Sequence, residues 1–120
     1  MYYGYTLNEM RINYMITEEQ KNALIEKGGK EWINGNKHRI YFNNWEEIAG
    51  FNINTYKTGN ISSASLQGET ISNNKANKML GGKLYFDMVT SKFVCDYFRD
   101  ETAVEYAIIE LEAILDMAVE

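Results

Sequence analysis

The stretch that most constrains the fold runs from Asn54 to Asn74, N-T-Y-K-T-G-N-I-S-S-A-S-L-Q-G-E-T-I-S-N-N. Its Thr, Ser and Asn side chains compete with the backbone for hydrogen bonds, which makes it a poor helix. Ile61, Ala64, Leu66 and Ile71 are its apolar anchors. The pattern predicts an extended element entered by a turn at Thr58-Gly59-Asn60 and left by another at Gln67-Gly68-Glu69.

Other strands are legible around it. Glu31-Trp32-Ile33, Asn34-Gly35 and then Lys37 to Phe42 read as a hairpin, because Asn and Gly both tolerate the positive φ of a type I′ turn. With Asn34-Gly35 as the loop, Ile33 opposes Asn36 and Glu31 opposes His38. One face then carries Trp32, Lys37, Arg39 and Tyr41. The other carries Ile33, His38, Ile40 and Phe42 and should point inward. Phe51 to Tyr56 alternates and reads as a strand. Lys83 to Val89 sets Leu84, Phe86 and Met88 on one face, and after a turn at Thr90-Ser91 the chain returns over Lys92 to Cys95.

Helices fall between these strands. Thr17-Glu18-Glu19-Gln20 is a capping-box pattern opening a helix to Lys27, stopped by Gly28-Gly29. Asn44 should cap a short turn ended by Gly50, and Ser72 should cap a helix over Asn73 to Leu80. Thr102 to Val119 is the longest. Val104, Ile108, Leu111, Leu115 and Ala118 form the stripe expected to pack on the sheet. A second stripe, Tyr106, Ile109, Ala113 and Met117, lies almost opposite and predicts a further contact, a homodimer interface. The expected fold is α+β: one domain over 1–120, with an antiparallel sheet of about five strands, short inserted helices and a long C-terminal helix packed on it. Residues 1–15 read as an N-terminal arm, 16–95 as the sheet body and 101–120 as an acidic helix.

Charge follows the same division. The net charge is −5, yet residues 1–100 hold 11 acids against 12 bases, and from Glu101 onward there are six acids and no base. A neutral body argues against a broad nucleic-acid footprint and leaves room for a local patch. Nine of the sixteen aromatic residues are Tyr, a side chain suited both to wet contact surfaces and to sheet margins. A single cysteine excludes an intrachain disulfide, and no run reaches membrane-span length or has the pattern of a secretory signal. A soluble, cytoplasmic protein is expected.

The segments K-E-W at 30–32, H-R-I-Y-F-N at 38–43, Y-K-T-G-N-I-S-S-A-S-L-Q-G-E-T-I-S-N at 56–73 and K-L-Y-F-D at 83–87 resemble a family of small proteins of bacterial prophages and mobile elements. The resemblance spans roughly Ile16 to Val94. It brings no activity and no catalytic residues. What it implies is a setting, an accessory gene in a bacterial host cell, and with it a binding role such as inhibition of host defence in the anti-CRISPR manner.

The residue inventory points away from catalysis. His38 and Cys95 are each single, so no metal site at ligand spacing is expected, and no cofactor. Ser62, Ser63 and Ser65 have no imidazole near them in sequence, and no nucleophile elbow or phosphate loop is present. The candidate binding groups are Tyr56, Lys57, Thr58, Asn60, Ser62 and Ser63 in the polar run, and Trp32, Arg39 and Tyr41 on the hairpin. The first set is either a ligand or partner site or a turn network that orders its own loop. The second, with Lys37, either stacks a base and neutralises a phosphate or lies under a helix. His38 should pair with Glu31 across the hairpin. Three readings follow, all non-enzymatic: a protein that works through a protein partner, a host-defence component; a small-ligand or nucleotide-binding module using the 56–63 run; and a weak single-stranded nucleic-acid binder. A closed pocket beside Tyr56 to Ser63 would separate the second from the first.

Overall fold

The structure, a computed structural model, describes residues 16–118; the expected arm and the last two residues of the expected acidic helix lie outside that range. Helix α1 (Glu18–Glu26) opens on the predicted capping box. Thr17 Oγ1 accepts from the Gln20 amide at 3.0 Å, and Gln20 Oε1 accepts from the Thr17 amide at 2.9 Å. Two otherwise orphaned donors are thereby satisfied.

Strands β1 (Lys30–Asn34) and β2 (Lys37–Tyr41) form the expected hairpin in a different register. Asn34 opposes Lys37, Ile33 opposes His38 and Glu31 opposes Ile40. The two-residue loop is therefore Gly35-Asn36, not Asn34-Gly35, with Gly35 at φ 61°. The pairing has moved by two residues, and a two-residue shift conserves the alternation of faces. Trp32, Lys37, Arg39 and Tyr41 still share one face, and Ile40 and Phe42 are buried on the other. Ile33 departs from expectation. It lies on the inward face but is 64% exposed, because the hairpin tip reaches past the helices that cover Ile40.

Helix α2 (Trp45–Ala49) ends at Gly50, whose φ of 71° is the left-handed conformation a helix stop requires. Asn44 does not cap it through its side chain. Its Nδ2 instead donates to the Lys27 carbonyl at 3.1 Å and ties α2 to the end of α1. Strands β3 (Phe51–Thr55), β4 (Ile61–Leu66) and β5 (Glu69–Ile71) follow. Helix α3 (Asn73–Met79) is capped as expected by Ser72, whose Oγ accepts from the Lys75 amide at 3.1 Å, and stops one residue before Leu80. Strands β6 (Lys83–Asp87) and β7 (Lys92–Asp96) pair next; β6 ends two residues short of Val89, as the turn begins at Met88. Helix α4 (Thr102–Met117) closes the described chain.

The fold is α+β, and the seven strands among the described residues divide into two antiparallel sheets. One has the order β1-β2-β6-β7, the other β3-β4-β5. One core serves both. Ile40, Phe42, Leu84 and Phe86 point from the larger sheet into Leu24 of α1, Trp45 and Ala49 of α2, Met79 of α3 and Val104 and Leu111 of α4. The smaller sheet adds Phe51, Ile61, Ala64 and Leu66. Burying each large aliphatic or aromatic side chain stabilises the fold by about 1.5–3 kcal/mol. Trp45 stacks on Phe51 at 5.9 Å and meets Phe98 edge-on at 5.1 Å, which fastens the smaller sheet to the rest.

Along α4 the fully buried residues are Ala103, Val104, Ala107 and Leu111, the alanines allowing close approach to α2. Ile108, Leu115 and Ala118 are half-buried. The second stripe, Tyr106, Ile109, Ala113 and Met117, is exposed. Among the described residues no helix is long and apolar enough to cross a membrane.

Candidate functional site

The larger sheet has two unlike faces. One is the core face, under the helices. The other is built by the alternate residues Lys30, Trp32, Lys37, Arg39, Tyr41, Lys83, Tyr85, Asp87, Lys92, Val94 and Asp96, which the cross-strand register places together. No described helix packs on it. This side carries five cations and two carboxylates, a balance of +3 on a chain whose net charge is −5. The acids of α4 lie on the helix-covered side of the sheet, where Glu112 borders a recess shared with Phe86, Lys92 and Phe93.

At the centre is Arg39. Its guanidinium lies 4.4 Å from the Tyr85 ring centre and 5.6 Å from that of Trp32. Nη1 donates to the Tyr41 hydroxyl at 2.9 Å, and that bond holds the guanidinium above its ordinary pKa. Trp32 meets Tyr41 edge-to-face at 6.0 Å, and Tyr41 tilts onto Tyr85 at 5.1 Å. Each cation–π or aromatic contact of this kind contributes about 0.5–1.5 kcal/mol. Tyr85 is buried by this cover, outside the main core, and burial pushes its phenol upward. Trp32 remains 38% exposed, with Tyr41 and Arg39 half-buried. A recess of ≈ 450 Å³ opens beside the rings, lined by Lys30, Glu31, Trp32, Tyr41, Asn43 and Lys83.

Of the sequence-predicted residues, Trp32, Lys37, Arg39 and Tyr41 thus come together. Tyr85, Lys30, Asn43 and Lys83 escaped notice. The signal for Lys83 and Tyr85 was present in K-L-Y-F-D, where Lys83, Tyr85 and Asp87 alternate against the apolar Leu84 and Phe86.

The polar run lies elsewhere, at the end of the smaller sheet. Tyr56, Lys57, Thr58 and Asn60 form an exposed loop between β3 and β4, and no wall of buried residues surrounds them. Several of its groups bond within the run. The Tyr56 amide donates to the Asn60 carbonyl at 2.8 Å, and the Gly59 amide to the Tyr56 carbonyl at 2.9 Å. The Asn60 amide reaches Thr58 Oγ1 at 3.4 Å, and Asn54 Nδ2 donates to Ser63 Oγ at 2.9 Å. The register slips between Asn54 and Thr55, so Ser62 is passed over in the pairing. These bonds order the turn and leave Tyr56 and Lys57 projecting.

His38 pairs with Glu31 as expected, at 2.5 Å, now as a diagonal neighbour on the helix-facing side. Lys21 reaches the same carboxylate at 3.0 Å. The hydrogen bond from His38, then that from Lys21, holds Glu31 below the usual carboxylate range. Cys95 is half-buried, and burial raises its thiol to about 11, the opposite of an activated nucleophile. Among the described residues no group of three or more His, Cys, Asp or Glu is placed to hold a metal ion. No protein-family model, no curated protein and no solved structure matches this chain.

Proposed function

We propose that the protein is a non-enzymatic binding protein, and that its working surface is the aromatic–cationic face of the larger sheet, which takes a segment of single-stranded nucleic acid. The observation that carries this reading is the composition of the face. A protein–protein patch is depleted in Lys at its centre, whereas Lys30, Lys37, Lys83 and Lys92 ring the Trp32–Arg39–Tyr41–Tyr85 cluster. Rings supply stacking that tolerates any base, and the cations supply phosphate contacts.

The test is fluorescence anisotropy of a labelled oligothymidylate, with the full chain titrated at rising salt. Three phosphate contacts should give a slope of log K against log salt of about −2. Trp32→Ala should weaken binding by about 5- to 100-fold, the value of one stacked base, with no change of fold because the ring is partly exposed. An unchanged affinity in that variant, or no binding at low salt, would overturn the reading.

A protein partner, the host-defence component expected from the resemblance, is a second reading and is favoured by a different surface. The exposed row of Tyr106, Ile109 and Met117 on α4 is flanked by acids, a pattern suited to a basic partner or to a second copy of the chain.

A further inference from the structure

The geometry points to a nucleotide-sized subsite in the recess beside the stack. One base lies on the exposed ring surface of Trp32, beside Tyr41, and its phosphate lies between Lys30 and Lys83. This rests on the reading of the open sheet face as a nucleic-acid surface and specifies where a single nucleotide unit sits on it.

The register builds the subsite. Lys30 stands directly opposite Tyr41 in the β1–β2 pair, and Trp32 is two residues along on the same face. The Phe42 amide donates to the Leu84 carbonyl at 2.9 Å, which extends the β2–β6 pairing one residue past Tyr41. That extension sets Asn43 beside Lys83 at the same end of the sheet. Two lysines, two aromatic rings and one carboxamide therefore line one recess, together with Glu31, whose carboxylate is turned to the helix-facing side and held there by His38 and Lys21.

Each group matches a part of a nucleotide. The lysines are flexible point charges with three donors each, suited to a phosphate whose orientation varies. Asn43 offers both a donor and an acceptor to a base edge, so it can serve more than one base. Trp32 and Tyr41 meet at 79°, so a base cannot slide between them as into a parallel slot; it stacks on one outer surface. The recess volume of ≈ 450 Å³ falls within the range of about 300–1,000 Å³ of small-molecule sites. Lys30, Asn43 and Lys83 are exposed, so the recess stays open to solvent and a strand can continue out of it.

The shared chemistry is a nucleoside monophosphate, whether free or as one unit of a strand. The experiment titrates the isotopically labelled full chain with three probes, adenosine 5′-monophosphate, inorganic phosphate and oligothymidylate, and follows the Trp32 indole N–H and the amides of Lys30, Tyr41, Asn43 and Lys83. Adenosine 5′-monophosphate should shift all five signals. The Lys30→Ala/Lys83→Ala double variant, in which both side chains are exposed and folding is unaffected, should weaken that binding about tenfold. Prior mononucleotide should compete with the oligonucleotide; a tighter oligonucleotide identifies the strand as the source, equal affinities identify the free nucleotide, and either supports the subsite. If the oligonucleotide binds through Trp32 while the mononucleotide leaves the recess signals unmoved, the subsite is overturned and the face reading stands. Mononucleotide shifts that persist in the double variant, or that inorganic phosphate alone reproduces, also overturn it. If neither nucleotide probe binds, both readings fall.

Discussion

Arg39 occupies a place where Lys would not serve. Its planar guanidinium lies over Tyr85, reaches Trp32 and donates to Tyr41 at once, whereas an ammonium offers neither the plane nor the fork. Glu31, on the reverse face of the same hairpin, holds a comparable post between His38 and Lys21. Its carboxyl is held below the usual range, so the folded state binds its proton less tightly than the unfolded chain does. The sign follows: the stabilisation is present above the ordinary carboxylate pKa and is lost as pH falls through the lowered folded value. Glu31→Gln should cost about 0.5–1 kcal/mol at neutral pH, the worth of screened surface ion pairs, and the difference from the parent should vanish in acid. Urea midpoints across the acidic range check this; a difference that persists in acid would assign the loss to packing.

At the scale of elements, the turn between β4 and β5 shows how the smaller sheet is held. Gln67 and Gly68 both have positive φ, 54° and 83°, as a two-residue hairpin loop demands. Gln67 is an unusual residue for that conformation, and its partners explain its presence. Its side-chain amide donates to the Ala49 carbonyl at 2.5 Å, and its backbone amide to the Gly50 carbonyl at 2.9 Å. The turn thereby caps the end of α2. Gln67→Ala keeps the strained φ and removes the side-chain bond, so it should cost about 0.5–1.5 kcal/mol by thermal unfolding, whereas Gln67→Gly should recover part of the loss by relieving the backbone. Equal stability in both variants and the parent would show that the bond contributes nothing.

Such details mark the boundary of what the sequence discloses. Capping at Thr17 and Ser72, the stop at Gly50, the strand at Ile61 to Leu66 and the buried Ile40 and Phe42 follow from local chemistry, and each was legible. The faces of the hairpin were legible for the same reason, since alternation survives a register shift of two. The register itself was not, because Gly35-Asn36 and Asn34-Gly35 are both acceptable loops and both keep the same faces. The division into two sheets was hidden too. Nothing local in Phe51 to Thr55 tells whether it joins β2 or pairs with β4 alone. The aromatic–cationic face lay half in view: the hairpin half was evident, but Tyr85 comes from a strand more than forty residues on, and only the sheet order brings it under Arg39.

For the whole molecule, the exposed row on α4 predicts self-association. Tyr106, Ile109 and Met117 present apolar area on the surface that the core does not use. A two-fold contact would set the row against itself, with the helices antiparallel so that the acids stay apart. Sedimentation over a range of concentrations should show a dimer that Ile109→Glu with Met117→Glu converts to monomer. A monomer throughout, or a dimer indifferent to those changes, would place any interface elsewhere.

The separation of charge across the fold, cations on the open sheet and carboxylates on α4, also gives the molecule a preferred orientation in an electric field. A chain of net charge −5 should be repelled by any polyanion at long range, yet the near side of the approaching molecule is selected by torque before contact. The same property would govern how it sits on a charged solid. An anion-exchange surface would hold it by α4 and leave Trp32 facing the solvent; a cation-exchange surface would hold it by the sheet and hide the rings. On the proposed reading of the sheet face, immobilisation in the first way should leave it open to an oligonucleotide and in the second way should not, although nothing in its sequence or conformation has changed.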